Sequence, residues 1–372
     1  MTVLGTRPEI IRLSLIIPIL DAHADHILLH TGQNFAPSLS DVFFRELGVR
    51  APDISLHVRA ETFAAQAAAI LQQVDEQLVS VRPDKVLILG DTNSGLAAIV
   101  AARRQIPVYH LEAGNRCFDD RVPEEINRRL IDHSSAVLLP YTERSKDNLV
   151  REGIERERIF VVGNPIYEVL EHFRSETDAS RAHEDLGVAD NEYLLVTIHR
   201  AENVDDPARL DRLVRGVERA SERTGLPSVW SVHPRTAERL RARDMRPSAG
   251  INFVDALGFF DFVHLEQHAA CVITDSGTVQ EECAIRRVPN VTVRDVTERP
   301  ETLEVGSNVM AADDPDLLAG SIRLARELRR DWEPPDEYKV AHPSTAIAKI
   351  VLGYVSARRH LGLAERSNAP DV

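Results

Sequence analysis

Lys85–Thr92 reads KVLILGDT, Ser94–Gln105 reads SGLAAIVAARRQ, and Pro107–Gly114 reads PVYHLEAG. An apolar run of strand length, an Ala-rich amphipathic stretch and a second apolar run make one βαβ unit. Strands that are apolar on both faces belong to a parallel sheet covered by helices on both sides. The same rhythm runs back toward the start. Val3–Thr6 (VLGT) precedes EIIRLSLIIPILDAH, His26–Gly32 (HILLHTG) reads as a strand, and DVFFRELGV as a helix ending at Gly48. Ala60–Val81 is amphipathic and closes before Pro83.

The rhythm also continues forward. Tyr193–Arg200 (YLLVTIHR) leads to a helix around Leu210–Glu222, PSVWSVHP precedes TAERLRAR, and CVITDSGT (Cys271–Thr278) precedes VQEECAIRR. PNVTVRD and SNVMAA read as the last strands. Between the halves, HFRSETDASRAHEDLGVADNE is polar and reads as the connection. The expectation is an α/β protein of two doubly wound parallel-sheet domains facing a central cleft. Ligands then bind at the carboxyl ends of the strands.

Composition agrees. The chain has 372 residues, 43% hydrophobic and 27% charged, in the range of globular proteins. Its formal charge is −14 and no Lys/Arg run interrupts it, which argues against a nucleic-acid partner. Cys117, Cys271 and Cys283 form no CxxC and no paired framework, as in a reducing compartment. MTVLGTRPE has no basic n-region or signal-type apolar core, and no apolar run reaches the ~18 residues that span a bilayer. A soluble cytoplasmic protein without a membrane partner is expected.

Five strand ends carry polar clusters: GTRPE (Gly5–Glu9), GDTNS (Gly90–Ser94), HLEAGNR (His110–Arg116), TIHRAENVD (Thr197–Asp205) and TDSGT (Thr274–Thr278). Asp91 is as readily a helix cap as a catalytic carboxylate. Glu112, directly after an apolar strand, needs a partner or a task. His199 on an apolar strand would by default be a core histidine, but Arg200 and Glu202 stand beside it. In RVPEEINRRLIDH, Pro123, Glu124 and Glu125 open a helix. Its i,i+4 pairs Glu124–Arg128 and Glu125–Arg129 fit either a solvated ion-pair face or a face turned to chemistry. Ser276, Gly277 and Thr278 open the helix after TDSGT, where free amides favour a phosphate. Arg7 is either a second clamp on that anion or a surface turn residue. No His/Cys cluster has metal-ligand spacing, and no glycine fingerprint supports a hydride cofactor. These residues point to an enzyme for a sugar or nucleoside phosphate, with carboxylates and one histidine for proton transfer and with no metal.

Taken together, GTRPEIIRL, GDTNS, HLEAG with VPEEINRRLIDH, IHRAEN, TDSGTVQEE and TERPE closely resemble the non-hydrolysing UDP-N-acetylglucosamine 2-epimerases, from Gly5 to about Val355. The resemblance implies a GT-B arrangement of two Rossmann-like domains: residues 1–170 on the sugar and acid/base side, residues 171–345 for UDP, and a C-terminal helix with a polar tail over residues 346–372. It implies a homodimer acting on a UDP-sugar without cofactor. The expected reaction is loss of the C2 proton and of UDP to give 2-acetamidoglucal, then re-addition with inversion at C2. By motif, Asp91, Glu112 and Glu124 are the acid/base candidates, and His199 assists the leaving oxygen. Arg7, Arg12, Ser276, Gly277, Thr278 and Arg299 contact phosphate or sugar, Glu282 the ribose, and Phe262 the uracil.

The chain departs from the family pattern in places. Ile198 stands where the family has glycine, arginine rather than lysine is at position 12, and GDTNS replaces a run of threonines. HTGQNFAPSLSDVFF replaces the stretch that serves an allosteric site in one branch. QNF…DVFF, GDTNS and GNRCFDDRVPEE resemble instead the branch that forms UDP-N-acetyl-L-fucosamine. Competing readings are that 6-deoxy-sugar epimerase, a hydrolysing epimerase, a GT-B glycosyltransferase and a non-catalytic sugar-nucleotide binder.

Overall fold

The structure, a computed structural model, describes residues 1–32, 37–58, 60, 62–243, 250–328 and 331–354. The chain divides into two compact units. One comprises Met1–Val169 and the chain from Val340 onward, the other Leu170–Lys339.

The first unit holds six parallel strands: β1 (Thr2–Leu4), β2 (Leu28–His30), β3 (Ile54–Ser55), β4 (Val86–Leu89), β5 (Val108–Leu111) and β6 (Val137–Leu139), in the order β3-β2-β1-β4-β5-β6. In the second unit β7 (Leu194–Thr197), β8 (Ser228–Val232), β9 (Ile251–Asp255), β10 (Cys271–Thr274), β11 (Asn290–Val293) and β12 (Asn308–Ala311) run β12-β11-β10-β7-β8-β9. Read from the other edge, this is the same doubly wound topology. In each sheet the order reverses between two central strands, β1 and β4 or β7 and β10, and that switch point is where such sheets bind ligands.

Local chemistry accounts for the helices. Phe63–Val81 buries Ala67, Ile70, Val74 and Leu78 on one stripe, is capped by Thr62 and stops at Arg82 in the left-handed region before Pro83. Pro207–Thr224 starts under an Asp206 cap with proline in its first turn, and ends at Gly225 with φ 68°. Every residue of β4 and β5 is buried, as the unbroken apolar runs require.

The stretch read as a connection folds as part of the second unit, with short helices at Arg174–Asp178 and Ala182–Asp185. His183 and His264 ring nitrogens lie 2.6 Å apart, and His264 Nδ1 is 2.9 Å from the Thr177 carbonyl. With helices this short, the buried Phe173, Thr177 and Ala182 supply enough contact without a visible amphipathic pattern. Residues 33–36 of the QNF stretch and the polar tail lie outside the described residues.

The helix Pro343–Gly353 belongs to the first unit and is tied at its C-terminal end by Lys85. The Lys85 ammonium donates to the carbonyls of Val351 at 2.7 Å and Leu352 at 2.9 Å, and the Tyr109 hydroxyl donates to that of Tyr354. A cation on the last carbonyls of a helix satisfies acceptors that have no intrahelical donor. Replacing Lys85 with Met should therefore lower stability by about 1–3 kcal/mol, read as a shifted urea midpoint. An unchanged midpoint would show that the tie contributes nothing.

Candidate active site

In the first unit the candidate residues gather at the carboxyl ends of β1, β4 and β5. Glu112 follows β5 with φ 69°, a left-handed conformation that glutamate rarely adopts. Its carboxylate accepts from Arg12 Nη1 at 2.7 Å, Asn115 Nδ2 at 3.3 Å and the Tyr141 hydroxyl at 3.5 Å. The Arg12 guanidinium lies 5.6 Å from the centroid of the Tyr141 ring. A Cβ built on Gly90 would be 3.6 Å from Glu112 Oε2. Glu112 therefore stands beside the residue that precedes Asp91.

Asp91 does not cap a helix. Its carboxylate is held by Arg128, through Nε at 3.0 Å and Nη2 at 2.7 Å, and Asn127 Nδ2 donates to its backbone carbonyl at 3.1 Å. The helix Pro123–Ser134 is thus fastened to the Asp91 turn. Nor is this helix a solvated ion-pair face. Glu125 is fully buried and accepts from the Cys117 and Phe118 amides, from Arg128 at 2.8 Å and from Arg129 at 3.0 Å. Glu124, half-buried, occupies the first turn of the same helix. Arg7, also half-buried, stacks its guanidinium 5.6 Å from the centroid of Phe43.

Sequence reading missed Glu9. It is buried against donors alone: the Gly5 amide at 2.7 Å, the Thr6 amide at 2.6 Å and the Thr92 hydroxyl at 2.9 Å. One carboxyl thereby joins the turn after β1 to the turn that carries Asp91. Burial pushes its pKa up to about 7, against the pull of those hydrogen bonds. The only signal in the sequence was its place at the third position of a helix behind Thr6, which also makes it half of a capping box.

The second unit collects His199, Ser276, Gly277, Thr278 and Arg299 at the ends of β7 and β10. Asp275, fully buried, organises them. It accepts from the His199 amide at 3.0 Å, the Arg200 amide at 2.8 Å and Asn203 Nδ2 at 2.9 Å, and its Oδ1 lies 3.4 Å from His199 Nδ1. Asp275 stands inside the TDSGT motif, yet spacing alone could not say that it turns inward. Ser276 is the N-cap of the helix Gly277–Arg286. A Cβ on Gly277 would fall 2.9 Å from Glu298 Oε1 and 3.6 Å from the Arg299 guanidinium carbon, so Arg299 packs over the first turn of that helix. Its Nε donates to Glu281. Free amides, a helix dipole and a buried arginine together suit a phosphate. Glu282 is buried on the next turn beside Glu266, whose carboxyl is driven well above the ordinary range by burial and by that neighbouring carboxylate. Phe262 packs against the core of this unit. Among the described residues, no group of three or more His, Cys, Asp or Glu side chains is placed to hold a metal ion.

The family model described as UDP-N-acetylglucosamine 2-epimerase matches residues 19–352. The chain belongs to that family. UDP-N-acetylglucosamine 2-epimerase of Methanocaldococcus jannaschii is 40% identical over 342 residues, covering 90% of this chain and 93% of that relative. UDP-2,3-diacetamido-2,3-dideoxy-D-glucuronate 2-epimerase of Pseudomonas aeruginosa is 35% identical, over 87% and 91%. The crystal structure of the M. jannaschii epimerase with UDP-GlcNAc and UDP superposes with a TM-score of 0.90 over 94% of this chain and 98% of that one. The two doubly wound sheets expected from sequence are those of the epimerase family.

Glu9 prefers its neutral form in the folded chain. The stability it contributes is whole below about 4.5, the ordinary range of a free glutamate, and is lost as pH rises through about 7. Glu9→Gln keeps an acceptor for the two amides and removes the ionisation. From about pH 5 to about pH 8, wild type should lose about 2–3 kcal/mol relative to E9Q, measured by urea unfolding. Parallel pH profiles for the two proteins would refute this.

Proposed function

We propose that this chain interconverts UDP-GlcNAc and UDP-ManNAc by inversion at C2. The observation that carries the reading is the cluster at the ends of β4 and β5, where Asp91 and Glu112 are held by separate guanidinium groups within a chain 40% identical to an enzyme of that name. The C2 proton of the sugar is not acidic, so a carboxylate can remove it only as the C1–O bond loosens. UDP departs with the bonding electron pair, C1–C2 becomes the double bond of 2-acetamidoglucal, and the base keeps the proton. Return of UDP to C1, with a proton delivered to the opposite face of C2, gives the epimer.

Two faces need two proton carriers, and Asp91, Glu112 and Glu124 are the candidates. Their settings differ. Arg12 and Tyr141 fix Glu112, Arg128 fixes Asp91, and Glu124 is half-buried in the first turn of its helix. Stabilising the departing pyrophosphate falls to His199, Arg299 and the amides of Gly277 and Thr278, with Arg7 and Arg12 as further phosphate contacts. Glu282 is assigned to the ribose and Phe262 to the uracil, on the family pattern. The reading includes a cytoplasmic homodimer, in keeping with three free cysteines and with the family resemblance.

Proton NMR of the protein with UDP-GlcNAc in D2O tests the proposal. A growing manno-configured UDP-sugar with deuterium at C2 supports it. Free N-acetylmannosamine with UDP would replace it by hydrolysis. An unchanged spectrum would overturn the assignment to UDP-GlcNAc, and UDP-linked diacetamido-glucuronate and 6-deoxy-L-sugars would be tried next. Glu112→Gln and Glu124→Gln should each lower kcat by about 10²-fold or more, with UDP affinity by calorimetry and melting temperature nearly unchanged. Wild-type turnover in either variant removes that residue from proton transfer.

A further inference from the structure

His110 and Asp132 carry no role in the chemistry above, yet they lie under all of it. The ladder of the first sheet ends at Gly90 and Glu112, whose amides donate to Leu111 and Leu139 at 2.9 and 3.1 Å. Beyond these bonds other groups must hold the turns. His110, on β5, has its side chain fully buried. Its Nε2 is 2.8 Å from the Gly90 carbonyl and its Nδ1 is 2.8 Å from Asp132 Oδ1. Asp132 Oδ2 accepts from the Gly114 amide at 3.2 Å and from Arg116 Nη2 at 2.8 Å. Arg116 in turn pairs with Glu152 at 2.6 Å and donates to the Asn115 carbonyl at 2.7 Å.

One carboxylate therefore reaches both turns. Gly90 immediately precedes Asp91, Gly114 follows Glu112 by two residues, and Asp132 rides on the helix that begins beside Glu124. Gly114 leaves no slack: its φ is 80°, and a Cβ there would lie 2.2 Å from the Ser145 carbonyl oxygen. Both His110 nitrogens face oxygen atoms, so the ring is held at both edges. Burial pushes the Asp132 carboxyl up, but hydrogen bonding and charge from His110 and Arg116 outweigh it and hold the group below its ordinary range. Apolar packing could fill this space but could not aim two turns, because only directional bonds fix orientation.

We propose that Asp132, acting through His110, is a positioning residue that sets the Asp91 and Glu112 turns and the helix of Glu124 relative to one another. The inference rests on the epimerase reading above. Displacing a reacting group by about 1 Å can cost about 10²-fold in rate while binding survives.

The test uses Asp132→Asn, His110→Asn and His110→Gln in the full chain. The amide of glutamine can place a donor where Nε2 faces Gly90, whereas that of asparagine reaches only the Nδ1 position. D132N and H110N should lose about 30-fold or more in kcat, with KM for UDP-GlcNAc and UDP affinity within about twofold of wild type. H110Q keeps the bond to Gly90 but loses the one to Asp132, and should recover only part of that loss. Amide hydrogen exchange at residues 112–117 should quicken in D132N. A folded D132N with wild-type kcat and unchanged exchange overturns the proposal. So does an H110Q with wild-type kcat, because that variant has no bond to Asp132. If D132N does not fold, the two His110 variants decide by the same split. If wild type exchanges no C2 proton on any UDP-sugar offered, the epimerase reading fails, and the exchange measurement alone then upholds or overturns the clamp.

Discussion

A carboxylate at the dry end of a buried strand is held only by groups that replace its water. The first unit meets this constraint with arginine for the carboxylates at the site: Arg12 against Glu112, and Arg128 against both Asp91 and Glu125. Burying a single ion costs several kcal/mol even after relaxation, and each guanidinium offsets part of that cost for the carboxylate it meets. The same bonds carry geometry. Arg128 is a residue of the helix Pro123–Ser134, and by bonding Asp91 it fixes where that helix begins, which fixes Glu124. Glu9 is the contrasting case in the same unit. It has neutral donors and no cation within its hydrogen bonds, and it moves toward neutrality.

The two units share a strand order and use it oppositely. At the switch point of the first sheet stand carboxylates backed by arginines, a setting for moving protons. At that of the second, Asp275 turns inward and accepts from the His199 and Arg200 amides and Asn203, while the guanidinium of Arg299 packs over the helix start behind Ser276, a setting of the kind that suits an anion. Topology determines where a site can form, and the local residues determine its sign.

Much of this was legible in the sequence, for a physical reason. Strands buried on both faces are mostly apolar, so KVLIL, VYHL and CVIT stand out, and the polar cluster after each run drew attention as a candidate. What was not legible follows from the same logic. Ile54–Ser55 is too short to carry a pattern, and Ile251–Asp255 is interrupted by exposed positions. Partner choice was hidden most deeply. Asp91 fits a helix cap by spacing, but its arginine lies 37 residues away, and the arginine of Glu112 lies 100 away. Of the i,i+4 pairs visible in the helix Pro123–Ser134, Glu125–Arg129 forms, but on a buried carboxylate rather than a solvated face. His110 stood in the strand-end cluster HLEAGNR, but nothing there named its partner, and Asp132 lies 22 residues away inside a helix.

The backbone at Glu112 shows which demand prevailed. A left-handed glutamate costs on the order of 1 kcal/mol or more that glycine would not, and the chain does place glycines in left-handed conformations nearby, at Gly90 and Gly114. Glycine at 112 would relax the turn and abolish the ion pair with Arg12. The conformation is held from outside the residue: by the ladder bond of its amide to Leu139, by Arg12 on its carboxylate, and by the Gly114 amide on Asp132. Strain at one position, with three independent restraints converging on it, is the pattern expected where a side chain must point in one direction regardless of local preference. That direction is toward Gly90, and so toward the turn of Asp91.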